Sequence, residues 1–299
     1  MNVNLKALSM IAVYAGIIGF TDNFVQVIAA DAGLWQFHAT RSVMAVALLW
    51  LVARPLGLRL AMVAPRRVVA RSLIHGCAMV IYFGALGFLP VALVAAGLFT
   101  APIFVLLIER LFYGAPISGS GALAVALGFA GVVMVLGPEA LAGASLPALL
   151  PVVAGALYAL GNIATRRWCG PESAETLLAG FFIALGVAGA LGMAALTLHP
   201  LVAPAGPEGF LMRGPVIPGG AFWFWTFVQA AGSLLGVGLM VRAYQIAEAS
   251  RVSVMEYIIL PASAAWTWVL WGEGLSALAM AGMGLIVAAG VLIATSRRA

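Results

Sequence analysis

The charges of this chain are crowded into the gaps between long apolar runs. Fifteen Lys and Arg and ten Asp and Glu are spread over 299 residues. Between them stand ten stretches of roughly twenty apolar residues, the length a helix needs to cross the hydrocarbon core of a bilayer. No water serves the peptide groups there, so each run must close its own backbone hydrogen bonds and is expected to be helical. With 64% of residues hydrophobic, the chain reads as an all-α polytopic membrane protein with ten transmembrane helices. Almost no soluble domain can be cut from it.

The spans predicted from hydropathy are 7–30, 39–56, 71–89, 91–111, 119–137, 147–166, 175–198, 221–244, 252–271 and 276–295. Pro90 alone separates the third from the fourth, and Gly272–Leu275 the ninth from the tenth, so these neighbours should be antiparallel. The longest gap, Leu201–Gly220, is rich in Pro and Gly and reads as a loop. Ala30-Asp31-Ala32 fits a signal-peptide cleavage site, but the n-region offers only Lys6, and Asp22 and Asn23 interrupt the apolar run. The first run is therefore read as a span.

Ten spans put both termini on one side. That side receives Lys6, Arg54, Arg59, Arg66, Arg67, Arg71, Arg110, Arg166, Arg167, Arg242, Arg251, Arg297 and Arg298; the other receives Arg41 and Arg213. The positive-inside rule then predicts cytoplasmic termini, and the basic pI of 9.7 reflects topology and anionic lipid rather than nucleic acid. Cys77 and Cys169 lie on the cytoplasmic half, where free thiols are expected.

The two halves, 1–140 and 141–299, read as five-helix repeats. Pro102 and Pro261, and Gly131 and Gly290, are each 159 residues apart; Ala85 and Ala243, Gly114 and Gly272, and Ser118 and Ser276 are each 158 apart. Five is odd, so the second repeat must be inverted relative to the first. Inverted repeats are a transporter architecture with the substrate site near the midplane.

Arg41 opening the second span, the Gly84-Ala85-Leu86 and Arg242-Ala243-Tyr244 stretches, Pro102 and Pro261, Trp271-Gly272-Glu273 and the last span's Gly282, Gly284 and Gly290 carry a further likeness. In these features the whole chain resembles the EamA-type ten-helix members of the drug/metabolite transporter superfamily, and within them the bacterial exporters of aromatic and other amino acids. The resemblance implies a secondary transporter of the bacterial inner membrane exporting amino acids by alternating access. Its alternative is a proton-coupled drug or metabolite exporter. One departure is that Phe112-Tyr113-Gly114-Ala115-Pro116 holds no counterpart of Glu273.

Polar groups at membrane depth are costly and usually face a cavity or a partner. Tyr82, Tyr158, Tyr257, Asn162 and Gln229 are the expected substrate-binding residues, with His75 and Phe99 beside them. Asp22 and Glu256 are equally compatible with structural hydrogen bonds and with proton coupling. Pro102 and Pro261 remove mid-span donors and are candidate gating kinks. The cavity is expected between spans one, three, four, six, eight and nine, with the apolar, Gly/Ala-rich spans five and ten outside it. Trp35, Trp50, Trp168, Trp223, Trp225 and Trp271 fall near span ends and fit an interfacial belt.

An enzymatic reading finds little. His38, His75 and His199 are too scattered for a metal site, no phosphate loop exists, and no cofactor is expected. Ser118-Gly119-Ser120-Gly121 invites a serine hydrolase, but no downstream span carries a histidine in its core. A non-transporting scaffold and an intramembrane enzyme remain the readings from other classes. The expected partners are a small solute and the lipid bilayer.

Overall fold

The structure, a computed structural model, describes residues 3–85, 89, 91–137, 146–272, 274 and 276–295. Expectations placed on Leu86, Pro90, Glu273, Leu275, Arg297 and Arg298 lie outside the described residues. Ten apolar helical spans cross the molecule among those described. Span one joins α1 (Val3–Asp22) and α2 (Val25–Asp31); spans two and three are α3 (Leu34–Ala53) and α4 (Pro65–Ala85). Span four joins α5 (Val91–Leu98) and α6 (Ala101–Tyr113), and span five is α7 (Gly119–Leu136). Spans six, seven and eight are α8 (Leu149–Arg167), α9 (Ala174–Leu198) and α10 (Gly220–Ile246). Span nine joins α11 (Ala249–Met255) and α12 (Ile259–Trp271), and span ten is α13 (Ala277–Thr295).

Large apolar side chains such as Val43, Trp50, Leu107, Leu191 and Phe224 point outward, as a lipid-facing surface requires. Spans two and three begin well before the starts that hydropathy predicts. Span two starts at Leu34 rather than 39 because Gln36 is satisfied by protein: its side chain exchanges two hydrogen bonds with the Val216 backbone. Span three starts at Pro65 rather than 71. Arg41 and Arg71 therefore lie inside spans, 5% and 1% exposed, and are not the loop charges of the tally.

Three spans are broken. Span one breaks at Asn23, where the side chain turns back to the Gly19 carbonyl at 2.6 Å. Span four breaks after Leu98, and Pro102 stands in the first turn of α6. Span nine breaks at Glu256–Ile258, a single 3-10 turn, and Pro261 stands in the first turn of α12. A proline there lacks the N–H that would tie it to the preceding segment. Both prolines thus open the second piece of a discontinuous helix.

The other spaced pairs share local roles as well. Gly114 and Gly272 end spans four and nine with φ of 64° and 69°. That left-handed cap suits glycine, which has no Cβ to clash. Ser118 and Ser276 accept from the backbone N–H three residues on, at 3.1 Å in each case, and so start spans five and ten.

Packing is dominated by contacts between the first five spans and the last five. Span one lies on eight and nine, three on six and seven, two on seven and eight, four on six, and five on ten. Exchanging each span with the one five places along returns the same set of pairs.

Polar loops gather at two ends. At one, Glu172 accepts from the Val63 and Ala64 amides, Arg166 donates to Ala247 O at 2.7 Å, and Arg251 reaches the Ile293 carbonyl. We call this the basic face. At the other, the 199–219 loop is strapped down by Arg213, which donates to Ala29 O at 2.7 Å, to Ala32 O, and to the Gly206 carbonyl of its own loop.

Candidate functional site

The heart of the bundle holds a carboxylate. Glu256 lies in the break of span nine, 7% exposed. Tyr158 of α8 donates to its Oε1 at 2.8 Å and Tyr244 of α10 to its Oε2 at 2.7 Å. No Lys or Arg pairs with it among the described residues. A carboxylate in a bilayer is costly unless hydrogen-bonded, and the two phenols meet that need through charge-assisted bonds.

One turn along α8 from Tyr158, Asn162 Oδ1 lies 3.0 Å from His75 Nε2 on α4. The His75 ring stands edge-on to Tyr158, centroids 5.3 Å apart. It rests flush on Gly161, where a Cβ would collide with Nδ1, and that nitrogen has no partner. His75, Tyr158, Asn162, Tyr244 and Glu256 therefore form one continuous cluster from spans three, six, eight and nine.

A second polar group lies toward the strapped end. Gln229 of α10 donates to Thr21 O at 2.9 Å and to Asp22 Oδ1 at 3.2 Å. Asp22 ends α1 at the break of span one and keeps accessible surface, although Thr21 and Gln229 beside it are 3% and 1% exposed. Tyr14, on the same helix and buried, is within electrostatic reach of both Asp22 and Glu256. Tyr82 is half-buried, edge-on to Phe83 and within electrostatic reach of Asp22.

Two of the sequence-predicted residues go elsewhere. The Tyr257 hydroxyl donates to Phe99 O at 3.1 Å, and its ring fills the space over Gly128 of α7. Tyr257 and Phe99 thus tie span nine to spans four and five, beside the carboxylate cluster rather than in it. Sequence reasoning left out Tyr14, Tyr244 and Arg41 and kept Glu256 and Asp22 only as weighed alternatives. The usable signal was a charge within an apolar run.

Arg71 has a structural environment: Nε donates to Thr165 Oγ1 at 2.9 Å and a terminal nitrogen to Leu177 O at 3.1 Å. Spans five and ten contribute none of the clustered side chains; they pack on each other. At the basic face a cavity of about 480 Å³ opens among Glu109, Arg166, Arg167, Glu248 and Arg251. Arg251, half a helix below Glu256 on α11, is held by Glu248 at 2.8 Å. Free thiols are found at Cys77 and Cys169, and no group of three or more metal-ligating side chains occurs among the described residues.

No family model matches the chain. It is 25% identical over 260 residues to the pseudopaline exporter CntI of Pseudomonas aeruginosa, covering 86% of this chain and 85% of that protein. It is 25% identical over 273 residues to the riboflavin transporter of Rhizobium johnstonii, covering 89% and 80%. The riboflavin transporter of Brucella anthropi is 26% identical over 232 residues, 75% of each chain. One solved crystal structure superposes with a TM-score of 0.75 at 18% identity, over 98% of this chain and 97% of its own, and so shares the fold. Over most of its length, then, this ten-span chain is similar to bacterial proteins named as transporters of small molecules, and transporters are not enzymes.

Proposed function

We propose that the protein is a secondary transporter that carries a small organic solute across the bacterial inner membrane by alternating access. The observation that carries this reading is Glu256, a carboxylate in a helix break, hydrogen-bonded by tyrosines of two other spans and paired with no cation among the described residues. Broken spans with polar groups at the break are how transporters place a solute site at the midplane. The named relatives, an exporter and two riboflavin transporters, point the same way.

The substrate-binding surface in this reading is His75, Tyr82, Tyr158, Asn162 and Gln229, with Glu256 and Asp22 added and with Tyr257 and Phe99 supporting its wall. Pro102 and Pro261 are the hinges about which the second pieces of spans four and nine swing. Residues 1–140 and 141–299 are the two inverted repeats. The support is the set of packing pairs that survives exchange of the halves and the equivalent roles of Pro102 and Pro261, Gly114 and Gly272, and Ser118 and Ser276. On the family resemblance the solutes are amino acids, aromatic ones among them, moved outward. The direct test is counterflow in liposomes of the pure protein with labelled aromatic amino acids and riboflavin. Accumulation of none of them would sink the reading.

Two expected results follow from the site and the topology. Tyr158→Ala removes one of the two phenols on Glu256 and lowers flux about tenfold, the size of a lost charge-assisted hydrogen bond. Tyr82→Ala lowers it less, since the Tyr82 hydroxyl has no side-chain partner among the described residues. Parent-like transport by both folded variants would make these tyrosines packing residues. Second, with Cys77 and Cys169 replaced by Ser, single cysteines at positions 2 and 299 resist an impermeant thiol reagent in intact cells. Labelling of one end alone would imply an odd number of crossings.

A further inference from the structure

Among the described residues, Arg41 is a buried cation without a hydrogen-bond acceptor. It stands two turns into α3 and is 5% exposed. Its guanidinium carbon is 4.9 Å from the Phe37 ring centroid and 5.9 Å from those of Phe83 and Phe182. Nε makes no hydrogen bond, and no carboxylate contacts the guanidinium among the described residues. His38, one turn earlier and fully buried, lies edge-on to the same Phe83 ring and leaves both ring nitrogens unpartnered.

Three aromatic faces stabilise a guanidinium, but they accept none of its five N–H donors. An arginine held at membrane depth in this way ordinarily finds a carboxylate or backbone carbonyls, as Arg71 does. Asp22 is within electrostatic reach of Arg41 but makes no ion pair with it. One Asp22 oxygen already accepts from Gln229, which fixes the carboxylate in place, and Asp22 is the member of this group with accessible surface. The arrangement is a positive pole rich in unspent donors and a negative pole rich in acceptors, held apart by two different spans.

We propose that these poles are a binding subsite for a zwitterionic solute: Arg41, with His38 beside it, takes the solute's carboxylate, and Asp22 takes its ammonium group. The inference rests on the transporter reading and names the residues that set its substrate class. A guanidinium presents a planar fork to a carboxylate, so a bidentate contact is available. Phe37, Phe83 and Phe182 keep that fork from turning toward solvent. Asp22 stands at the break of span one, and Tyr14 and Tyr82 are within electrostatic reach of it.

The test is competition against L-phenylalanine counterflow in liposomes, with phenethylamine and 3-phenylpropionate as the forms lacking one charge. The parent should prefer the zwitterion to each of them by about tenfold or more, the range of one charged hydrogen-bonding contact. Arg41→Gln should abolish the preference over phenethylamine and keep that over 3-phenylpropionate; Asp22→Asn should do the reverse. Arg41→Lys keeps the charge without the fork and should fall between, which guards against a glutamine variant that fails to fold. Equal loss of all three solutes in both variants, or unchanged preferences, would overturn the subsite and leave Arg41 and Asp22 as parts of a closing contact. Parent flux of riboflavin without L-phenylalanine would also overturn it while leaving the transporter reading intact. Flux of no solute would bring down both.

Discussion

Glu256→Gln will cut solute flux by roughly ten- to a hundredfold and leave the protein folded. The argument is one of shape against charge. Glutamine fills the same volume in the 3-10 turn of span nine, and the Tyr158 and Tyr244 hydroxyls can each rotate to meet an amide oxygen or an amide N–H. What is lost is the negative charge and the two charge-assisted bonds, each worth about 1.5–3 kcal/mol. If that charge is used when a solute or proton occupies the centre, its removal falls on transport rather than on stability. Glu256→Leu is the contrast: it strands two buried hydroxyls at about 1–3 kcal/mol apiece and should lower the melting temperature as well. A Glu256→Gln protein that elutes, melts and transports like the parent would remove the carboxylate from the mechanism.

Gly131→Leu should be the most damaging single change away from the centre. A Cβ at Gly131 would lie 2.6 Å from the Gly282 carbonyl oxygen and 2.8 Å from Ile286 Cγ1, and a Cβ at Gly282 would lie 2.7 Å from the Gly131 oxygen. The obstacles include backbone on both sides, so no rotamer relieves them and α7 must part from α13. Helices in lipid hold together by this kind of close approach rather than by hydrophobic pressure. Overpacking costs about 1–3 kcal/mol even where a core can adjust. The expected readout is a lower yield of monodisperse protein and a lower melting temperature. Gly290→Leu is the internal control: nothing stands within 4 Å of its Cβ position, and surface changes of this kind stay within about 0.5 kcal/mol. Equal behaviour of the two variants would deny the glycine contact its role.

The spans were readable because the solvent dictates them. Apolar length is a local property, and the structure has ten apolar spans where the sequence places them; the cap roles of Gly114 and Gly272 and the start roles of Ser118 and Ser276 came only with the structure, the sequence having shown them as matched positions. The start of span two was not readable, because Gln36 is made tolerable by Val216, far along the chain, and the burial of Arg71 was not readable because Thr165 and Leu177, which satisfy it, are as distant. The same reason limits the site. His75, Tyr158, Asn162 and Gln229 were singled out as polar groups at depth, and each has a buried polar partner. Tyr257 obeyed that rule too, but its partner is the Phe99 carbonyl of a neighbouring span. Depth tells that a hydroxyl must be satisfied, not by whom. Tyr244 was read only as the close of span eight; α10 runs on to Ile246, and the Tyr244 hydroxyl meets Glu256 of another span.

The polar bonds that join the halves also set a problem for biogenesis. Gln229 follows Asp22 by 207 residues, Asn162 follows His75 by 87 and Thr165 follows Arg71 by 94. At a synthesis rate of about 5–20 residues per second, Asp22 waits roughly ten to forty seconds before its amide partner has been made. Through that interval the nascent first half holds Asp22, Arg71 and His75 without the groups that later satisfy them. Either these segments stay near the insertion machinery or the interface until spans six to eight arrive, or water accompanies them into the bilayer. A ribosome stalled after residue 140 would expose that intermediate, and its first half should be cleared by proteolysis faster than the complete chain.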